Sequence, residues 1–140
     1  MAELALVTGG ESGIGKAIVD ALEAKGYEVR SASRRTGFDL LDRPSITRLV
    51  NSLPRLDLLV NNAGMGMLAR FEDVTDLSLY ERLMRVNYLG SVYPTFYALP
   101  HLQRSRGQLV AVSSLAGLNG VPLRTAYAAT KHAQMGFFDS

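Results

Sequence analysis

Tyr127 and Lys131 stand four residues apart in a stretch that predicts a helix beginning near Thr125, so both side chains lie on one helical face and reach a common point. An unperturbed phenol titrates near ~10, and an ammonium beside it lowers that value by about 1 to 3 units, toward a general acid/base useful at working pH. Taken alone, such a pair is more commonly a tyrosine lying along a helix beside a solvated lysine. A second chemical feature lies near the N-terminus, where Thr8 to Gly15 reads TGGESGIG. Gly9, Gly13 and Gly15 sit between a short apolar run and an amphipathic segment, the context that a dinucleotide phosphate-binding turn requires. Glycine removes the Cβ atoms that would obstruct a pyrophosphate, and the free N–H groups at a helix N-terminus then face its oxygens. Zero cysteine excludes disulfides, thiolate metal sites and a cysteine nucleophile, while two isolated histidines, His101 and His132, make a poor metal site. The chemistry falls to hydroxyls, amides and amines.

The elements that must position these groups alternate along the chain. Residues 4 to 7 (LALV) form a continuous apolar run, as expected of a strand buried on both faces of a parallel sheet. From Ile14 to Lys25 the apolar positions recur at helical spacing, and Gly26 closes the segment as a C-terminal cap. Residues 27 to 32 read as a second strand, 45 to 53 as a helix that begins after Pro44, and 56 to 60 as another buried strand. One long helix is expected from Asp76, capped by Thr75, to Gln103, bent at Pro94; residues 108 to 112 form the last strand. This alternation predicts an open parallel sheet with helices on both faces and right-handed crossovers. Between the second strand and Asp39 stand only residues 34 to 38, too few for the crossover that a neighbouring parallel strand needs. The third strand and its helix are therefore expected to be missing.

Size and charge narrow the class. At 140 residues, 47% hydrophobic and 20% charged, the chain fits one globular domain. A formal charge of +2 with scattered basic residues leaves no footprint for a nucleic acid. No apolar run approaches the roughly 18 residues of a membrane span, and Glu3 stands where a secretory signal would be basic, so a soluble cytoplasmic protein is expected.

Four further motifs follow the glycine turn in order: NNAG at 61 to 64, VNYLG at 86 to 90, VSSLAG at 112 to 117 and YAATK at 127 to 131. Together with the G-x-x-x-G-x-G spacing they resemble the single-domain short-chain dehydrogenases/reductases over the whole chain, and residues 112 to 139 are nearest in wording to hydroxysteroid and carbonyl reductases. The resemblance implies an α/β fold with a Rossmann-type doubly wound parallel sheet, here of order 2-1-4-5 with the third strand lost and the C-terminal strands absent. It implies a nicotinamide-dependent oxidoreductase that interconverts a secondary alcohol and a ketone. Tyr127 is then the general acid/base, Lys131 holds the ribose hydroxyls and depresses the phenol's pKa, and Ser114, thirteen positions before Tyr127, orients the carbonyl; Ser113 is structural. Asn87 matches an asparagine credited with a water-linked proton relay to the lysine, or is simply a polar helix residue.

Around the cofactor, the resemblance places Gly9, Ser12, Gly13, Ile14 and Gly15 at the pyrophosphate, Asp39 beside the adenine, and Asn62, Ala63 and Gly64 along the ribose, with Tyr127 and Lys131 at its nicotinamide end. Where a carboxylate at the end of the second strand would favour NAD, this chain offers Ser33, Arg34 and Arg35, which favour NADP. Arg34 is the expected partner of the 2′-phosphate. The chain stops nine residues after Lys131, whereas family members usually run to about 250 residues, so residues 1 to 140 are expected to be a truncated dinucleotide-binding domain with little turnover of its own. Two other classes stay open: a nucleotide-binding regulatory or non-catalytic fragment, and an assembly element whose two long helices pair subunits into a homo-oligomer. The basic turn generates a direct expectation. NADPH binds more tightly than NADH, and Arg34→Ala removes most of that preference; equal affinities in the parent protein, measured by fluorescence titration, would refute it.

Overall fold

A computed structural model describes all 140 residues. The first apolar run forms β1 (Leu4–Thr8), every residue of it buried, and β3 (Leu58–Asn61) is buried throughout as well. These two are the central strands. β2 (Glu28–Ala32) and β4 (Gln108–Ala111) lie outside them and are more exposed. All pairings are parallel, in the order β2-β1-β3-β4, with Val7 opposite Ser31 on one side and Val60 on the other. With place three kept for the lost strand, this is the expected 2-1-4-5 order.

Alternation along the buried strands feeds two cores. Leu4, Leu6 and Leu59 point to the face covered by α2 (Arg43–Asn51) and α4 (Gly90–Ser105), where they meet Ile46, Val50, Ala98 and Leu102. Ala5, Val7, Leu58 and Val60 point to the opposite face, against Ile18, Val19 and Leu22 of α1 (Gly13–Ala24). Each large aliphatic side chain so covered contributes about 1.5–3 kcal/mol of burial free energy. The sheet is thus clad on both sides, which is why its inner strands carry apolar residues without polar alternation.

The short connection after β2 is a tight 3₁₀ turn, Arg34–Thr36, held by a reciprocal cap in which Ser33 Oγ accepts from the Arg35 N–H and Thr36 Oγ1 accepts from the Ser33 N–H. Gly37 then takes a left-handed conformation (φ 87°). Residues 36 to 40 pair with no strand; Phe38 and Leu40 instead pack against the Leu4–Leu6–Leu59 core and fill space at the open side of β2. The following helix begins earlier than its proline suggests. Asp42 caps it through the Ser45 N–H, so Arg43 and Pro44 occupy the first two helical positions, where a missing N–H costs nothing.

The expected single helix from 76 to 103 is three pieces. It starts at Ser78, not Asp76, because the Asp76 carboxylate takes both the N–H and the hydroxyl of Ser78; Thr75 makes no cap. After α3 (Ser78–Leu83) the chain widens into a π-helical turn, Met84–Leu89, closed by the Gly90 N–H on the Arg85 carbonyl, and then continues as α4. The irregularity therefore lies upstream of Pro94, which sits with Pro100 inside α4. The last element is α5 (Thr125–Asp139). No helix is long and apolar enough to cross a membrane.

At the end of the sheet away from the glycine turn, Asp57 ties three strands. Its carboxylate accepts from the Leu4 N–H at 2.8 Å and from Arg55, while its carbonyl accepts from the Gln108 N–H at 2.7 Å. Burial alone would raise the Asp57 pKa, but Arg55 and the Leu4 N–H outweigh it and hold the carboxyl below the ordinary range. A folded value below the unfolded one contributes stability above about pH 4 that is lost as pH falls through the folded value. Asp57→Ala should cost about 2 kcal/mol at neutral pH and less below pH 3, measured by urea unfolding at both.

Candidate active site

The functional groups gather at the C-terminal ends of the strands. β1 ends in Thr8, whose hydroxyl oxygen accepts from the backbone N–H groups of Asn62 and Ala63, both at 3.0 Å. In return the Asn62 amide donates to the carbonyls of Thr8 and Gly9. The glycine turn and the NNAG segment are thereby one rigid unit. Two glycines in it are dictated by space: a Cβ on Gly15 would collide with the Gly9 carbonyl and the Asn62 amide, and Gly9 itself has a φ of 67°. Ser12 precedes α1 without a side-chain cap, so the first-turn N–H groups of that helix receive no protein side chain.

This turn forms one wall of a cleft of roughly 750 Å³. Gly9, Ser12, Ile14, Gly15, Ser33, Arg34, Asp39, Asn62, Ala63 and Gly64 all line it, ten of the positions expected around a cofactor. Gly13 does not. Arg34 faces the cleft whereas Arg35 does not, a separation produced by the 3₁₀ turn. Sequence reasoning missed Phe38, Leu40 and Leu41, which come from the shortened connection, and Arg82 and Arg85, three apart on one helical face. Neither Arg82, Arg85 nor Arg34 has an acidic partner within 4.0 Å, leaving three guanidinium groups for an anionic ligand.

Beyond the cleft stands α5. Lys131 is buried, and its ammonium donates to the Val112 carbonyl at 2.9 Å and to Gln134 Oε1 at 3.1 Å, 5.8 Å from the centre of the Tyr127 ring. Burial pushes the Lys131 pKa below the ordinary lysine range. Ser114 caps the 3₁₀ turn Leu115–Gly117 by accepting from the Ala116 N–H, which leaves its own proton free to donate. The Ser113 hydroxyl is buried and has no hydrogen-bond partner.

Asn87 is fully buried in the π-helical turn. Its side chain accepts from the Met65 N–H (2.8 Å) and donates to the Met65 carbonyl (2.9 Å) and to Thr130 (3.0 Å). It is therefore a clamp between the segment after NNAG and α5. Its backbone carbonyl accepts from Ser91 Oγ, Ser91 accepts from Gln134 Nε2, and Gln134 Oε1 accepts from Lys131, so direct hydrogen bonds join the Asn87 backbone to the lysine. Gln134 and Ser91 were not singled out from the sequence; the available signal was a glutamine three residues after Lys131, on the face that α5 buries.

A parallel sheet with a glycine turn, a basic turn and a Tyr–Lys helix gathered beyond its strand ends defines a Rossmann-type fold with its cleft at the strand ends. Residues 36–140 match the family model for short chain dehydrogenase, and the chain belongs to the short-chain dehydrogenase/reductase family. It is 41% identical over 95 residues to an 11-beta-hydroxysteroid dehydrogenase of Pinus massoniana, an alignment covering 68% of this chain and 27% of that one. Dehydrogenase/reductase SDR family member 7 of Homo sapiens is 33% identical over 162 positions, covering 95% of this chain and 48% of the relative. That alignment is longer than the 140-residue chain, so the relative carries residues this one lacks. Among solved structures, ElxO with NADP bound superposes with a TM-score of 0.88 at 29% identity, covering 98% of this chain and 65% of that chain. A short-chain dehydrogenase from Streptomyces avermitilis gives 0.90 at 30%, covering 99% and 59%. The chain spans between about a quarter and a half of the length of these two curated relatives.

The clamp generates an expectation. Asn87→Ala leaves the Met65 N–H and carbonyl and Thr130 without their buried partner, and should lower unfolding free energy by about 2–3 kcal/mol in a urea titration. A loss under about 0.5 kcal/mol would mean that Asn87 does not hold the site together.

Proposed function

We propose that this chain carries the nucleotide cleft and reacting groups of an NADP(H)-dependent oxidoreductase acting on a small secondary alcohol or ketone. The observation that carries the reading is the placement of Tyr127 and Lys131 on one turn of α5, the lysine buried with its ammonium beside the tyrosine ring. A nicotinamide dinucleotide, when bound, supplies or accepts the hydride. The cleft fits such a group: Gly9 and Gly15 let the turn lie close against the NNAG segment, the first-turn N–H groups of α1 have no side-chain partner, and Arg34 offers an unpaired fork for a 2′-phosphate.

Within this reading, first-turn N–H groups of α1 face the pyrophosphate, and Asn62 keeps the turn in shape. Of the three ammonium N–H groups of Lys131, Val112 and Gln134 occupy two, so one is left for a ribose hydroxyl. The Ser114 hydroxyl donates to the substrate oxygen and orients it, while the Tyr127 hydroxyl gives a proton to that oxygen in reduction or takes it in oxidation. Phe96 and Leu99 of α4 and Phe137 of α5 are exposed apolar side chains, which supports the further reading that these helices pair subunits.

The alternative, a nucleotide-binding fragment without catalysis, differs in one measurement. Ketone-dependent NADPH oxidation should fall at least about 100-fold in Tyr127→Phe, while NADPH affinity changes less than about threefold. NADPH binding without ketone-dependent turnover in the parent protein would decide for the non-catalytic reading.

A further inference from the structure

Beside the adenosine end of the cleft, whose lining already includes Asp39, stands a second carboxylate with the wrong sign for a phosphate. Glu11, inside the glycine turn, reaches across to β2, where its carboxylate accepts from the Ser31 hydroxyl. The approach is enforced by the backbone: a Cβ on the neighbouring Gly10 would collide with Ser31 Oγ and press on Val19, so only glycine lets the turn lie this close to β2. Burial alone would raise the Glu11 pKa, but the Ser31 and Ser33 hydroxyls and the charge of Arg35 outweigh it and hold the carboxyl below the ordinary range. The group is ionised at neutral pH. Glu11 itself stands behind the lining, but its immediate neighbours Ser12 and Ser33, and Arg34 next to Ser33, all line the cleft.

We propose that Glu11 is a specificity-determining residue: a carboxylate delivered by the glycine turn to the ribose 2′ end, which opposes a 2′-phosphate and narrows the NADP(H) preference that Arg34 sets. The inference rests on the nucleotide reading of the cleft given above. A carboxylate accepts hydrogen bonds and donates none, so it suits a ribose 2′-hydroxyl and repels a phosphate dianion. Proteins that select NAD commonly place such an acid at the end of the second strand. Here that position holds Ser33, Arg34 and Arg35, and the acid comes from the opposite lip, tied to the same strand through Ser31. The arginine and the carboxylate therefore act on the same substituent with opposite sign. Arg35, which like Glu11 does not line the cleft, serves to stabilise the Glu11 carboxylate.

The test uses adenosine 2′,5′-bisphosphate and 5′-AMP, which differ only at the 2′ position, titrated calorimetrically into the parent protein, Glu11→Gln, Glu11→Ser and Arg34→Ala. The ratio of the two affinities should move about tenfold toward the bisphosphate in both Glu11 variants and away from it in Arg34→Ala. An unchanged ratio in both Glu11 variants, with Arg34→Ala still shifting it, would overturn the proposal and leave Glu11 as a structural tie between the turn and β2. Loss of both ligands in both Glu11 variants would overturn it in the same way. Failure of the parent protein to bind either nucleotide, or a ratio indifferent to Arg34, would overturn the cofactor reading itself and the proposal with it.

Discussion

A buried ammonium is the constraint around which this end of the molecule is arranged. Lys131 is 4% exposed, and a charge so placed is tolerated only if protein dipoles replace its water. The Val112 carbonyl at the end of the sheet and the Gln134 amide supply them. Each of these is itself fixed: Val112 through its N–H on Asn61, Gln134 through Ser91 of α4. Ser91 in turn binds the Asn87 carbonyl, and Asn87 clamps Met65 and Thr130. Solvating one cation thus aligns β4, α4, α5 and the segment leaving β3.

At the other end of the cleft the governing requirement is space. The glycine turn folds over Asn62 so closely that Gly15 has no room for a side chain, and the same closeness lets Thr8 reach two N–H groups of the NNAG segment. The two halves of the site are built on different physics, one on a desolvated charge and one on excluded volume. They meet along the NNAG segment, which Thr8 holds from one side and Asn87 from the other.

Much of this was legible in the sequence. The runs at Leu4–Thr8 and Leu58–Asn61 announce buried parallel strands because both faces are covered, and the arithmetic of residues 34 to 38 foretold the lost strand. Ten of the thirteen positions expected around a cofactor line the cleft, four of them from the glycine turn and six from the segments that leave β2 and β3 beside it. What escaped is tertiary. Nothing local marks the π-helical turn at Met84–Leu89, and the Gln134–Ser91 bond spans 43 positions. Helix starts shifted for a simpler reason: Asp42 and Asp76 are better hydrogen-bond acceptors than the positions chosen from proline and threonine. Glu11 drew no reading of its own because its partner, Ser31, becomes a neighbour only when the strands pair.

The shortened route from β2 to α2 also bears on how the chain finds this arrangement. Bringing the ends of β1 and β3 together closes a loop of 53 positions, from Leu4 to Asp57, and these two strands cannot pair before that closure. A further strand and crossover would lengthen it. By equilibrium reckoning the saving is small, since doubling a flexible loop costs only about 0.6 kcal/mol. Kinetically it matters more: lower contact order means earlier docking of the two central strands, and less time during which Leu6, Val7, Leu59 and Val60 stand open to the apolar segments of other chains.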